Sequence, residues 1–505
     1  MASFVYPTSV EKWDIFEAVL PGPQNDNPFE DYVIHGTFIS GNESKTVEGF
    51  YDGGGRYLVR FMPSFEEEYQ FIINGSFSSE EYRGSFTVTP PSENNHGPVR
   101  VHPKLHLAYE DGTPFHCLGT TCYVWTHQAV ELQEETLKTL SENAFNKLRF
   151  CIFPKHYLYN LYEPISYPYE GTPCDSSGLN EDTFTLFGDN AIPWGNHWDF
   201  RRFNPVHFQN FEKRIKDLMD LGIEADIILM HPYDRWGFSR MGTDNEGFYL
   251  RYVMARFSAY RNVWWSMANE YDLFFHKSIA DWEANAREVY THDPYQRLRS
   301  IHNCLQFYDF NRPWITHCSV QRTDLYKSSE LTDEWRVHYN KPVVLDEIAY
   351  EGNINQGWGN ISGQEMTRRF WEAFVRGGYP CHGETYQHPD NILWWSHGGK
   401  LHGESPARIK FLSDIMQQTP GSGLVPVKGE WDEVAGSADG GKYTFHYYSF
   451  FRPGFRTFTL PAGQEYEVEV IDTWNMTVEK AGTFQGKFRI NLPGREYMAI
   501  RIIQK

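Results

Sequence analysis

The stretch Val263-Trp264-Trp265-Ser266-Met267-Ala268-Asn269-Glu270-Tyr271 is apolar for most of its length and ends in an amide beside a carboxylate. A short run with no polar face suits a strand covered on both sides, as in parallel sheets. Pro342-Val343-Val344-Leu345-Asp346-Glu347-Ile348 follows the same plan. Six further strand candidates lie around these two: FHCLGTTC (115–122), KLRFCIF (147–153), EADIILM (224–230), LRSIHN (298–303), WITHCSV (314–320) and YPCHGET (379–385). Helical periodicity fills most of the intervals. In 206–221, Phe208, Phe211, Ile215, Leu218 and Met219 share one face, and Gly222 stands where a helix-ending glycine would. In 405–417, Ser405 and Pro406 suit the N-cap and first-turn positions ahead of Ile409, Leu412, Ile415 and Met416. Eight strands alternating with helices over residues 100–417 predict an α/β fold, a (β/α)8 TIM barrel. A doubly wound open sheet is disfavoured, because no glycine-rich phosphate loop follows the first strand.

The chain's 505 residues suggest two or three domains. Residues 1–92 read as an N-terminal, immunoglobulin-like β-sandwich of about seven short strands with turn signals such as Asp52-Gly53-Gly54-Gly55 and Asn74-Gly75. Pro90 to Pro98 combines rigid and turn-forming residues and reads as a linker. Residues 420–505 return to alternating strand patterns, among them KYTFHYYSF (442–450), YEVEVIDTW (466–474) and EYMAIRII (496–503), and predict a small C-terminal β-sandwich.

A net charge of −20 argues against a nucleic-acid partner and suits a neutral substrate such as a carbohydrate. The 16 Trp, 31 Tyr and 37 Phe fit both large β-rich cores and rings that stack on sugar faces. No stretch approaches the roughly 20 apolar residues of a membrane span, and the N-terminus lacks a basic segment followed by an apolar one. The seven cysteines lie mostly in apolar runs and read as buried free thiols, so a cytoplasmic location is expected. No zinc-type Cys/His spacing appears, and neither a metal nor another cofactor is expected. The sequence leaves a homo-oligomer open.

In a barrel, side chains at the C-terminal ends of strands share one mouth. Glu270 ends the fourth strand and Glu347 the seventh. A lone strand-end glutamate reads as a helix cap or an ion-pair partner. Two of them suit glycoside hydrolysis, where retention of configuration calls for two carboxyls about 5–5.5 Å apart. His231 ends the third strand, His302 the fifth, and His317 or Gln321 the sixth. Strand-end histidines suit sugar hydroxyls, and so His156, His197, His231 and His317 are read without a metal. Trp394 and Trp395 follow the eighth strand. Glu384 is read as a substrate ligand or a support for one. The long insertion at 154–204, including Trp198, is expected to shape the pocket.

With Asn269-Glu270 at the fourth strand and Glu347 at the seventh, the sequence resembles clan A of the glycoside hydrolases. That resemblance implies Glu270 as acid/base and Glu347 as nucleophile. It also implies Asn269 on the sugar 2-hydroxyl, Arg149 as the arginine that hydrogen-bonds the nucleophile, and the Trp394–Trp395 pair in the wall or floor of the glycone site. His106 to Phe115 running into LGTTCYVW, with PVVLDEIAYEG (342–352) and GGYPCHGETYQH (377–388), resembles apiosidase-like, family-five-like barrels. The three-part plan looks like bacterial glycosidases of that group. The activity so implied is retaining, exo-acting hydrolysis of O-glycosyl bonds in plant- or host-derived oligosaccharides or glycosides. The alternative is a non-catalytic carbohydrate-binding protein on a barrel scaffold.

Overall fold

The computed structural model describes residues 4–103, 105–188, 193–321, 327–388 and 393–505. Four residues of the insertion, 189–192, therefore lie outside the described part. The N-terminal region is a sandwich of a five-stranded and a three-stranded sheet. Alternation along Phe16–Pro21 and Ile34–Ile39 sends every second side chain inward. Phe16 and Phe61 from one sheet thereby meet Phe38, Phe71 and Phe86 from the other.

Eight parallel strands form the barrel: β1 (Gly119–Thr121), β2 (Lys147–Cys151), β3 (Glu224–Ile228), β4 (Val263–Ser266), β5 (Arg299–Ser300), β6 (Cys318–Gln321), β7 (Val343–Glu347) and β8 (Tyr379–His382). The hydrogen-bonded order runs 5-4-3-2-1-8-7-6. A parallel bridge between His302 and Ser319 joins β5 to β6 and closes the ring. Around it lie α1 (Val130–Ser141), α2 (Pro205–Asp220), α3 (Thr243–Phe257), α4 (Ile279–His292), α5 (Thr332–Tyr339), α6 (Gly363–Val375), α7 (Trp394–His397) and α8 (Ser405–Gln417). Seven of the eight strand windows contain a barrel strand and the sixth, 314–320, overlaps one that runs on to Gln321, but the ladders are shorter than the apolar runs. Leu229 and Met230, for example, stay buried after β3 has ended. Hydrophobicity reports burial, whereas the ladder ends where strands splay toward the mouth.

Inside the barrel, Lys147 Nζ lies 2.7 Å from both Asp226 and Asp346. Burial pushes the Asp346 carboxyl up, but Lys147 and Arg149 outweigh it and hold the group well below the usual carboxylate range. A hairpin of Val99–Val101 and Leu107–Tyr109 packs Val99 and Leu107 on Phe115, Trp264, Val344 and Tyr379, covering the N-terminal end of the barrel. The opposite end is left for the site.

The C-terminal region has a six-stranded and a two-stranded sheet. One face of the larger sheet joins the barrel core, with Phe445 stacked on Trp371 of α6 at 5.6 Å. The other builds a small core from Tyr448, Val468, Phe488 and Ile500. Three of its strands, Val425–Val427, Val434–Ala438 and Thr477–Phe484, have no counterpart in the sequence reading. Thr477–Phe484 is mostly exposed on both faces and so carries no apolar alternation.

Candidate active site

Glu347 is the last residue of β7, and Glu270 stands four residues beyond β4. The chain approaching Glu270 stays pinned to its neighbours: Asn269 N donates to the Met230 carbonyl at 2.9 Å and Tyr271 N to that of His302 at 2.9 Å. Between these anchors Glu270 takes a left-handed conformation, φ +50°, uncommon for a residue with a side chain. Ala349, two residues past Glu347, is also left-handed, φ +64°.

Both carboxylates line one cavity of about 370 Å³, with Tyr123, Lys155, Tyr157, Tyr233, Asn269, Cys304, Gln321, Tyr350, Trp358 and Trp395 among its walls. Tyr123 donates its hydroxyl to Glu347, and His302 Nε2 stands 3.4 Å from Glu347 Oε1. Tyr233 donates to Glu270, as do Gln321 Nε2 at 3.2 Å and Asn269 Nδ2 at 3.3 Å. Gln321 Oε1 in turn faces His302 Nε2 at 3.0 Å, linking the two carboxylates through polar contacts. Ser319 gives its hydroxyl proton to Asp346, so its oxygen accepts from His302 Nδ1 at 3.2 Å. Both ring nitrogens of His302 are thus engaged, Nδ1 with Ser319 Oγ and Nε2 with Gln321 Oε1.

The two carboxyls are pushed in opposite directions. Burial raises Glu270, and the neighbouring Glu347 raises it further. Burial also pushes Glu347 up, but the hydrogen bond and charge of His302, the Tyr123 hydroxyl and Lys155 outweigh it and hold the group below its ordinary value. Lys155 is itself lowered by burial. Its ammonium lies over the rings of Tyr123 at 3.9 Å and Tyr233 at 4.2 Å.

Of the residues singled out in the sequence, Glu270, Glu347, Asn269, Gln321 and Trp395 line the cavity, and His302 supports it from behind. Arg149 does not hydrogen-bond Glu347. It lies two residues before the end of β2, a layer lower, and donates to Asp226 (3.2 Å), Ser266 (3.0 Å) and Asn269 Oδ1 (3.1 Å). His231 is buried against the Phe153 carbonyl at 3.2 Å, and burial drives it down to about 3. His317 precedes β6 and packs on Trp264 toward the closed end, so it is no strand-end ligand. Trp394 donates to Thr120 Oγ1 at 2.8 Å outside the cavity. Trp198 packs on Tyr167 and donates to the Trp236 carbonyl at 2.9 Å, joining the insertion to the loop after β3 rather than lining the cavity.

Glu384 also faces away, accepting the amides of His402 (2.5 Å) and Gly403 (2.8 Å) ahead of α8, beside Glu351, which accepts those of Glu404 (2.7 Å) and Ser405 (3.0 Å). Among the described residues, Glu351, His382 and Glu384 are the group whose ligand atoms, within 4.8 Å of one another, could hold a metal ion. The four histidines named from the sequence form no such group there. Lys155, Tyr123, Tyr233, Tyr350 and Trp358 escaped the sequence reading. Tyr123, Lys155, Tyr233 and Tyr350 stand two to five residues beyond the ends of β1, β2, β3 and β7. Inspecting every polar residue just past a strand would have found them.

The comparisons agree with this architecture. The family described as "Apiosidase-like, catalytic domain" matches residues 102–451. Two domains of unknown function, DUF5060 and DUF5605, match residues 9–75 and 431–503. Among solved structures, a candidate glycoside hydrolase from Bacteroides vulgatus ATCC 8482 is 38% identical with a TM-score of 0.91, over 99% of this chain and 100% of that one. A family 5 glycoside hydrolase from the same organism shares the fold at 16% identity and a TM-score of 0.59, over 82% of this chain and 94% of that one. No curated protein matches the chain by sequence. With the family match spanning well over half of its length and a whole-length relative beside it, the chain belongs to the apiosidase-like catalytic-domain family of glycoside hydrolase barrels.

Proposed function

We propose that this chain is a retaining glycoside hydrolase in which Glu347 is the nucleophile and Glu270 the acid/base. One observation carries the reading: two carboxyls from β4 and β7 enter one cavity and are driven apart, Glu270 toward the neutral acid and Glu347 toward the anion. In the first step Glu347 attacks the anomeric carbon and Glu270 protonates the departing oxygen. In the second, Glu270 takes a proton from water, whose oxygen displaces Glu347. Asn269, whose Oδ1 accepts from Arg149 at 3.1 Å, contacts a sugar hydroxyl in this reading.

Exo action is supported by the size of the cavity, near the lower end of ligand sites, which run about 300–1,000 Å³. A second cavity of about 290 Å³ shares the walls Tyr157 and Tyr233 on the Glu270 side, and Phe275, 80% exposed, lines it. We assign the leaving group to that side. The substrates proposed are oligosaccharides or glycosides of plant or host origin, with an equatorial leaving group as in β-D-hexopyranosides or α-L-arabinofuranosides. A panel of aryl glycosides, with an apioside included because of the family's name, tests activity. Proton NMR of the first anomer released should show retention, and inversion would refute the double displacement. Glu347→Gln should leave a folded protein with no measurable turnover, and near-normal activity would refute the nucleophile.

A further inference from the structure

The cavity holds one more charge. Lys155 follows β2 by four residues and is only 4% exposed. Among the described residues no carboxylate forms an ion pair with it. Aromatic faces surround the ammonium instead: Tyr123 at 3.9 Å, Tyr233 at 4.2 Å, Trp395 at 5.2 Å and Tyr157 at 5.7 Å. Such faces hold a cation through their quadrupole without neutralising it. The two nearest rings are the ones that reach the carboxylates, Tyr123 donating to Glu347 and Tyr233 to Glu270. The ammonium therefore lies over both rings that connect to the reacting groups.

Charge moves between those groups. As a Glu347 oxygen bonds to the anomeric carbon, the bond to the leaving oxygen breaks and the Glu270 proton goes to that oxygen. Negative charge leaves Glu347 and appears on Glu270. Deglycosylation returns it: water gives its proton to Glu270, its oxygen bonds to the anomeric carbon, and Glu347 departs as carboxylate. We infer that Lys155 is a positioning residue whose ammonium is the fixed counter-charge for a negative charge that shuttles between Glu347 and Glu270. This inference rests on the two-carboxylate reading above. A cation paired tightly with either glutamate would favour one end of the shuttle, whereas an aromatic cage between them supports both.

The other charged or titratable groups around Lys155 are Arg149 and Cys151 from β2 and His231 from three residues beyond β3, and His302 faces Glu347 from beyond β5. Of these, His302 also reaches both carboxylates, Glu347 directly and Glu270 through Gln321, but it stands beside Glu347 rather than over the two tyrosine rings that bond them. Removing a nearby cation disfavours each carboxylate, so both acid constants should move to higher pH. The acid limb of kcat/KM, set by Glu347, and the alkaline limb, set by Glu270, should then rise together.

The test uses the full chain and an aryl glycoside that the panel finds turned over, with kcat/KM measured against pH for wild type, Lys155→Met, Lys155→Gln and Lys155→Arg, folding being checked by thermal melting. The neutral variants should displace both limbs upward by about one unit, and Lys155→Arg should hold the wild-type position. A lowered bell that stays in place in either folded neutral variant would overturn the inference, because packing alone gives that result. An arginine variant displaced as far as the methionine one would overturn it too. Failure of the underlying reading looks different: Glu347→Gln would then keep its turnover.

Discussion

The Tyr123 hydroxyl shows how a single donor tunes the chemistry. It bonds Glu347 and lies 3.3 Å from Asn269 Oδ1, so it is aimed at Glu347 rather than at Glu270. A hydrogen bond to the charged form lowers a carboxyl pKa. Tyr123→Phe should therefore raise Glu347 and move the acid limb of kcat/KM upward by about one unit, leaving the alkaline limb in place. An acid limb that did not move in a folded variant would refute the role. Glu270 was recognisable in the sequence because an amide preceded it at the end of an apolar run. Tyr123, in LGTTCYVW, looked like any strand-end aromatic, and only its partner gives it a function. Arg149 was noticed for the right residue type, but its height in the barrel directs it to Asn269.

The N-terminus of α8 illustrates a different use of acids. Glu351 and Glu384, carried by the short parallel pair Glu351–Gly352 and Glu384–Thr385, accept the amides of residues 402–405 and tie the loops after β7 and β8 to that helix. Burial, with Glu351 adding to it, pushes Glu384 up to about 8. A raised carboxyl destabilises the fold once its unfolded counterpart ionises. The associated stability is thus full below about 4.3 and is lost as pH climbs toward 8. Glu384→Gln cannot ionise but gives up one of the two amide acceptors, so it should melt below wild type near pH 4 and recover by roughly a few degrees relative to wild type by pH 8. A constant difference across that range would count against the protonation argument. From sequence alone Glu384 looked like a pocket acid, since it too follows an apolar strand. The side-chain direction, set by the pleat and by the partner loop, was not encoded in any local pattern.

Across the whole molecule, the sandwich and barrel are joined by a buried ionic cluster. Arg60 meets Glu212 of α2 in two contacts of 2.8 Å, and Arg256 of α3 reaches Asp52 at 2.8 Å and Glu212 at 3.0 Å. Burial pushes Glu212 up, but Arg60 and Arg256 outweigh it and hold it at about 2. Its contribution to stability is present above the unfolded value, near 4.3, and is lost as pH falls toward 2. Glu212→Gln leaves two buried guanidiniums short of a counter-charge and should cost about 3–5 kcal/mol. Melting should reveal that loss, and limited proteolysis should open the 90–98 linker earlier than in wild type. Unchanged melting and cleavage would show that the cluster does not hold the sandwich in place.

The alternation of apolar strands with amphipathic helices specified the barrel, because each segment's periodicity is a local property of side-chain order. The same logic marked Glu270 and Glu347, since a polar residue that ends a buried strand must emerge at the mouth. What the sequence could not contain was depth and direction. His317, Trp394, Trp198 and Glu384 also sit beside apolar strands or in the loop that follows them, yet each turns to the closed end, to the helix layer or into the insertion. Lys155 and the tyrosines that link it to the two glutamates come from loops distant in the chain. Only barrel closure through His302 and Ser319, with the burial it imposes, brings those loops around one cavity and separates the protonation states of its two acids.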